Sequence, residues 1–100
     1  MKRPSDRGLL ELAIKTWGQL DQLRQTIEEL NELAVALSHY CRQGYDSRAE
    51  VIGELSDVEL MLEQVKMMLE ISTPELRDVK TMKLDRLWLR LEKAIGERNG

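Results

Sequence analysis

The stretch "TIEELNELAVAL", residues 26–37, decides how the chain is read. With Leu23 just before it, Ile27, Leu30, Ala34 and Leu37 recur at spacings of three and four. That is the period of one buried face of an α-helix, not the alternation of a strand. The same stretch carries three glutamates in five positions, Glu28, Glu29 and Glu32. Ala34, Val35 and Ala36 put apolar groups on three sides of one turn, so the helix is expected to be buried on more than one face. Carboxylates beside such a surface need partners, because desolvating an unpaired charge is costly. Either the glutamates form a solvated charged face or they hold a cation, and the rest of the chain must decide between the two.

Outward from this helix, the spacing predicts four helices and no strand. The first covers about Asp6 to Trp17, capped by Ser5 or Asp6, with Leu9, Leu10, Ala13 and Ile14 on its apolar face. Gly18 breaks it, and the second helix follows from Gln19 to Arg42. "RQGYDS" (42–47) reads as a turn in which Gly44 takes a positive φ. A third helix starts near Arg48 with the capping-box pattern "SRAE", Ser47 to Glu50, and an apolar stripe of Val51, Leu55, Val58, Leu62, Val65 and Leu69. "ISTPEL" (71–76) closes it and opens the fourth, capped by Ser72 or Thr73, with Pro74 tolerated in the first turn. Leu84, Leu87, Trp88, Leu91 and Ile95 are expected as its inner face, with "GERNG" (96–100) fraying at the end.

One domain spanning residues 1–100 fits this length, and a chain so short buries only a modest core unless it assembles. With 42% hydrophobic and 33% charged residues the composition is that of a folded helical protein rather than a disordered one. The absence of a long apolar run argues for a cytoplasmic protein without a membrane partner. The single cysteine, Cys41, is read as a small packing residue. Residues 27–70 hold ten acids and three bases, whereas residues 77–98 hold seven bases and four acids. An acidic centre of this kind argues against a general nucleic-acid binder.

A second acidic pair, Glu54 and Asp57 of "ELSD", is separated from Glu32 by 21 residues. Its members are three apart and share a helix face, as Glu29 and Glu32 do. A short turn between the two helices implies antiparallel neighbours, which can point both pairs into one space. Converging carboxylates are stable only if some are protonated or a cation sits among them. All-oxygen ligation favours magnesium, with manganese as the alternative. A di-iron bundle would need Glu-x-x-His on two helices, but the only histidine, His39, has Ala36 three residues before it. His39 is therefore read as a surface or interface residue.

"EELNE" (28–32) followed by "ELSD" (54–57) resembles the EExxE…ExxD signature of the MazG-like all-α nucleoside triphosphate pyrophosphohydrolases. "WGQLDQLRQTIEELNEL" (17–33) is similar to the lead-in of small phage-type members, and "KTMKLDRLWLR" (80–90) to their cationic final helix. The resemblance covers roughly residues 9–91. It implies a four-helix MazG-like bundle completed by oligomerisation, as a homodimer or homotetramer. It implies hydrolysis of a nucleoside triphosphate to the monophosphate and pyrophosphate with Mg2+. On its pattern Glu29, Glu32, Glu54 and Asp57 are the metal ligands.

The implied reaction needs charge neutralisation, an aligned water and a leaving group held in line. A rim carboxylate can accept the proton of the water, with Glu28 or Glu29 as the candidates. Lys83 and Arg86 are expected as phosphate contacts, on a cationic stripe with Arg90 and Lys93. Lys15 is a further candidate from the first helix, and Trp17 is expected to wall a base pocket. The competing reading is a catalytically inactive helical adaptor or nucleotide-binding protein on the same scaffold.

Overall fold

The structure is a computed structural model that describes residues 1–99, with side chains through residue 98. The protein is all-α among the described residues: α1 (Asp6–Trp17), α2 (Gln19–Gln43), a 3₁₀ turn (Gly44–Ser47), α3 (Arg48–Met68) and α4 (Thr73–Asn99). Two compact units make up the chain. Met1–Glu70 contains α1 to α3, and the second begins at Ile71 and consists of α4.

The helix ends follow the local chemistry of the sequence. Ser5 caps α1, its Oγ accepting from the Gly8 N–H at 3.1 Å. Gly18 separates α1 from α2 at φ 93°, ψ 154°, a backbone conformation open to glycine and costly for other residues. Its N–H still donates to the Ile14 carbonyl at 2.8 Å, and its carbonyl accepts from Gln22 at 3.1 Å. The junction therefore turns the chain without leaving those groups unpaired. Gly44 ends α2 at φ 62°.

The expected capping box at Ser47 does not form. Ser47 lies inside the 3₁₀ turn and its Oγ donates back to the Gly44 carbonyl at 3.1 Å, while Glu50 bonds His39 instead. The reciprocal box forms at the next helix. Ser72 N–H donates to Glu75 Oε2 at 2.8 Å, and Glu75 N–H donates to Ser72 Oγ at 3.2 Å. Glu75 is held below the usual carboxylate range by the Ser72 backbone N–H and then by the Ser72 hydroxyl. The expected fraying over 96–100 is absent as far as Asn99, since α4 runs through Gly96; Gly100 lies outside the described residues.

In the first unit α2 and α3 lie side by side, with α1 against both. His39, late in α2, touches Glu50, early in α3, and Glu29, earlier in α2, lies by Asp57, later in α3, so the pair is antiparallel. Gln64 of α3 ties α1 in by donating its Nε2 to the Leu10 carbonyl at 3.1 Å.

The packed faces differ from the apolar stripes of the sequence in a systematic way. On α2 the inward seam is Gln22, Thr26, Glu29, Leu33 and Ala36, all buried or half-buried. The expected stripe sits one residue along, about 100° around the helix. There Ile27 is 58% exposed, Leu30 44% and Leu37 47%. On α3 the seam is Val51, Glu54, Val58, Met61, Val65 and Met68. Three of the six expected residues belong to it, while Leu55, Leu62 and Leu69 are exposed. Both helices are thus turned so that a glutamate, Glu29 on α2 and Glu54 on α3, lies within the packed seam.

The fully buried hydrophobic core is small, namely Ala36, Val58 and Met68, and Gln22, Thr26, Ser47 and Gln64 are buried beside it. In α4 every residue from Arg77 to Arg98 is exposed, including the expected inner face of Leu84, Leu87, Trp88, Leu91 and Ile95. Amphipathic spacing forms the helix there but does not by itself supply a surface to cover its apolar stripe.

Candidate functional site

The rotation of α2 and α3 brings three of the expected ligands together. Glu29, Glu54 and Asp57 each offer one carboxylate oxygen, and these atoms all lie within 4.8 Å of one another. They form the one such acidic group among the described residues. Glu29 and Glu54 are half-buried and Asp57 is exposed, so the group opens to solvent on the Asp57 side.

The hydrogen bonding of the group is incomplete in a specific way. Gln25, one turn before Glu29, donates its Nε2 to Glu29 Oε1 at 3.0 Å. That bond fixes the carboxylate and leaves its other oxygen, Oε2, buried with no hydrogen-bond partner among the described residues. Glu54 Oε2 is in the same condition. Two buried acceptors without donors are costly unless a proton or a cation meets them. The donor set is all oxygen and fits magnesium or manganese better than a softer metal.

The protonation of Glu29 reflects this surrounding. Burial pushes its carboxyl above the usual carboxylate range, the Gln25 bond opposes the rise, and the charges of Glu32 and Asp57 add to it.

Glu32 and Glu28 are not members of the three-oxygen group, and both are exposed. Glu32 is close enough to act on Glu29 through its charge and through a side-chain hydrogen bond that favours the protonated form. It also lines a shallow concavity of about 250 Å3 with Asn31, Val35, Glu50 and Glu54. Glu32 thus stands at the rim of the group, and Glu28 is exposed on α2. Lys15 and Trp17 are exposed at the end of α1, Trp17 at 64%. Lys83 and Arg86 are exposed on α4, in the second unit.

Two contributors were not singled out as site residues from the sequence. Gln25 carries a signal that helical spacing holds, since it stands four residues before Glu29 and such pairs face each other. Glu50 does not, because its place at the concavity depends on the packing of α2 against α3. His39 Nδ1 meets Glu50 Oε1 at 2.8 Å, linking the two helices on the side of that concavity, in keeping with an interface histidine.

No family model, curated protein or solved structure matches the chain. Among the described residues, no helix is long and apolar enough to cross a membrane.

Proposed function

We propose that the chain is a magnesium-dependent nucleoside triphosphate pyrophosphohydrolase of the MazG-like kind, working as a homodimer or homotetramer. The observation that carries this reading is the meeting of Glu29, Glu54 and Asp57 across two antiparallel helices, with Glu29 Oε2 and Glu54 Oε2 buried and unpartnered. The EExxE…ExxD resemblance supplies the reaction: a nucleoside triphosphate and water give the monophosphate and pyrophosphate.

In this reading Glu29, Glu54 and Asp57 hold the cation and Glu32 completes the set from the rim. Magnesium, when bound, supplies charge neutralisation towards the phosphate oxygens and a more acidic water. Gln25 keeps Glu29 oriented through Oε1 and leaves Oε2 directed at the cation. Glu28 or Glu29 is the carboxylate proposed to take the proton of the attacking water. Lys15 and Trp17, in the same unit as the carboxylates, are proposed to meet the nucleotide.

The test incubates the pure protein with each canonical NTP and dNTP plus magnesium and follows pyrophosphate and monophosphate release. Asp57→Ala and Glu32→Ala are run beside it. Release that both substitutions reduce supports the reading and the ligand set. Release that survives both refutes the ligand set. No release from any nucleotide, with the protein folded and magnesium bound, refutes the enzyme and leaves the nucleotide-binding or adaptor reading of the same scaffold.

A further inference from the structure

Asp57 and Gln64 are seven residues apart on α3, so they share one face of that helix to within about 20°. Gln64 meets α1 there, its Nε2 donating to the Leu10 carbonyl at 3.1 Å. The face that carries Asp57 is therefore the face that packs on α1, two turns nearer the start of α3. α1 also runs in the same direction as α3. Its end is joined through Gly18 to the start of α2, and the start of α2 lies by the end of α3 in the antiparallel pair. The first residues of α1 accordingly point along α3 towards Asp57. On that path Asp57 lies about 10 Å beyond Gln64, and Asp6, where α1 begins, about 6 Å beyond Leu10. This end of α1 is cationic, since Lys2, Arg3 and Arg7 stand within six positions that hold one acid, Asp6. Arg7 is about 60° around α1 from Leu10, and helical side chains lean towards the N-terminus, so its stem is carried towards the level of Asp57. Other cations of the first unit are placed differently. Lys15 is at the opposite end of α1, about 12 Å from Arg7, and Arg48 is about 120° around α3 from Glu54. Lys66 is paired with Glu63.

We infer that Arg7, together with Arg3, binds the phosphate chain of the nucleotide whose cation the carboxylate group holds. The inference rests on the hydrolase reading for the identity of its ligand, while its test needs no turnover. Both guanidiniums are held in exposed ion pairs, Arg7 Nε with Glu11 Oε1 at 3.0 Å and Arg3 Nη2 with Asp6 Oδ1 at 3.1 Å. Pairs of that kind are weak, and a phosphate offers a guanidinium two oxygens at once, so a polyphosphate displaces the carboxylates. A cation among Glu29, Glu54 and Asp57 and the guanidiniums at the start of α1 then meet one phosphate chain from two sides. The same placement gives the substrate a direction. Its phosphates lie at the start of α1, and its nucleoside lies towards Lys15 and Trp17 at the end.

Calorimetric titration of the full chain with inorganic tripolyphosphate and magnesium decides it. The wild type is expected to bind, and Arg7→Ala to bind about tenfold more weakly through the loss of one charge-assisted contact. Arg3→Ala added to Arg7→Ala is expected to weaken binding further. Arg7→Lys keeps the charge without the planar fork and is expected to recover binding in part. Arg48→Ala removes a cation from the same unit and is expected to leave binding unchanged. The Arg7 side chain is 73% exposed, so helix content by circular dichroism is expected to be kept in its variants. This pattern in a protein that cleaves no nucleotide refutes the hydrolase and leaves the phosphate site standing. A wild type that binds no tripolyphosphate with magnesium, an Arg7→Ala that binds as the wild type does, or an equal loss in Arg7→Ala and Arg48→Ala overturns the inference, whether or not nucleotides are cleaved.

Discussion

Replacing Glu29 by glutamine should stabilise the metal-free protein and remove its stabilisation by magnesium. The magnitude follows from the geometry. Oxygens of Glu29, Glu54 and Asp57 approach within 4.8 Å. At that separation a pair of unit charges repels by about 0.9 kcal/mol with the dielectric of water and about 3.5 kcal/mol at an effective dielectric of 20. Asp57 is exposed and the other two are half-buried, so the lower part of that range applies. Glutamine keeps the shape and removes the charge. It should therefore gain roughly 1–2 kcal/mol without divalent cation, or about 4–16 °C in Tm at 4–8 °C for each kcal/mol in a domain of this size.

The pH dependence has a definite sign. Because the folded protein holds the Glu29 proton to higher pH than the unfolded chain does, it binds more protons between the two pKa values. Stability from this group is thus present below the unfolded pKa and lost as pH rises towards the folded one. Glu29→Gln should flatten that fall. The assay is thermal unfolding from pH 4 to 8, the window bracketing about 4.3 for an ordinary glutamate, with EDTA or with magnesium. Magnesium should raise the Tm of the wild type and leave that of Glu29→Gln nearly unchanged. A variant that is less stable than wild type in EDTA at neutral pH would refute the argument, since Glu29 would then be a satisfied group.

Three further outcomes test other parts of the fold. Gln64 is only 2% exposed and donates to the Leu10 carbonyl, so Gln64→Met should cost about 1–2 kcal/mol in urea unfolding through the acceptor it leaves unpaired, and Gln64→Ala about 2–4 kcal/mol through the cavity as well. His39→Ala removes a partly exposed contact between α2 and α3 and should cost no more than about 1 kcal/mol in the same measurement, with magnesium stabilisation kept. Gly18→Ala meets no neighbouring atom but must hold φ 93°, so it should cost about 1–2 kcal/mol in thermal unfolding through the backbone alone.

The legibility of the site in the sequence was uneven for physical reasons. Helical spacing put Glu54 and Asp57 on one face and Glu29 near an apolar edge, and the meeting of these three follows once α2 and α3 are antiparallel neighbours. Glu32 has the same spacing from Glu29, yet its carboxylate stands at the rim rather than in the three-oxygen group. A spacing of three fixes direction only to within a turn, and the tilt between two packed helices settles which oxygens come within reach. Glu50 entered the sequence reading as half of a capping box. The box failed because the chain took a 3₁₀ turn at Gly44–Ser47, which left Glu50 available to His39.

By itself the sequence determined the helices. Ser5, Gly18, Gly44 and the Ser72–Glu75 box are local instructions, and the ends of α1, α2 and α4 follow them. What only the tertiary structure decided is which face of each helix turns inward. Hydrophobic period names the leucine stripes of α2 and α3, but a helix with two apolar stripes can pack on either. In this protein the seam that closes the first unit is the one carrying Gln22, Thr26, Glu29 and Glu54. Packing on that seam gathers the carboxylates and leaves Ile27, Leu30 and Leu37 of α2 exposed.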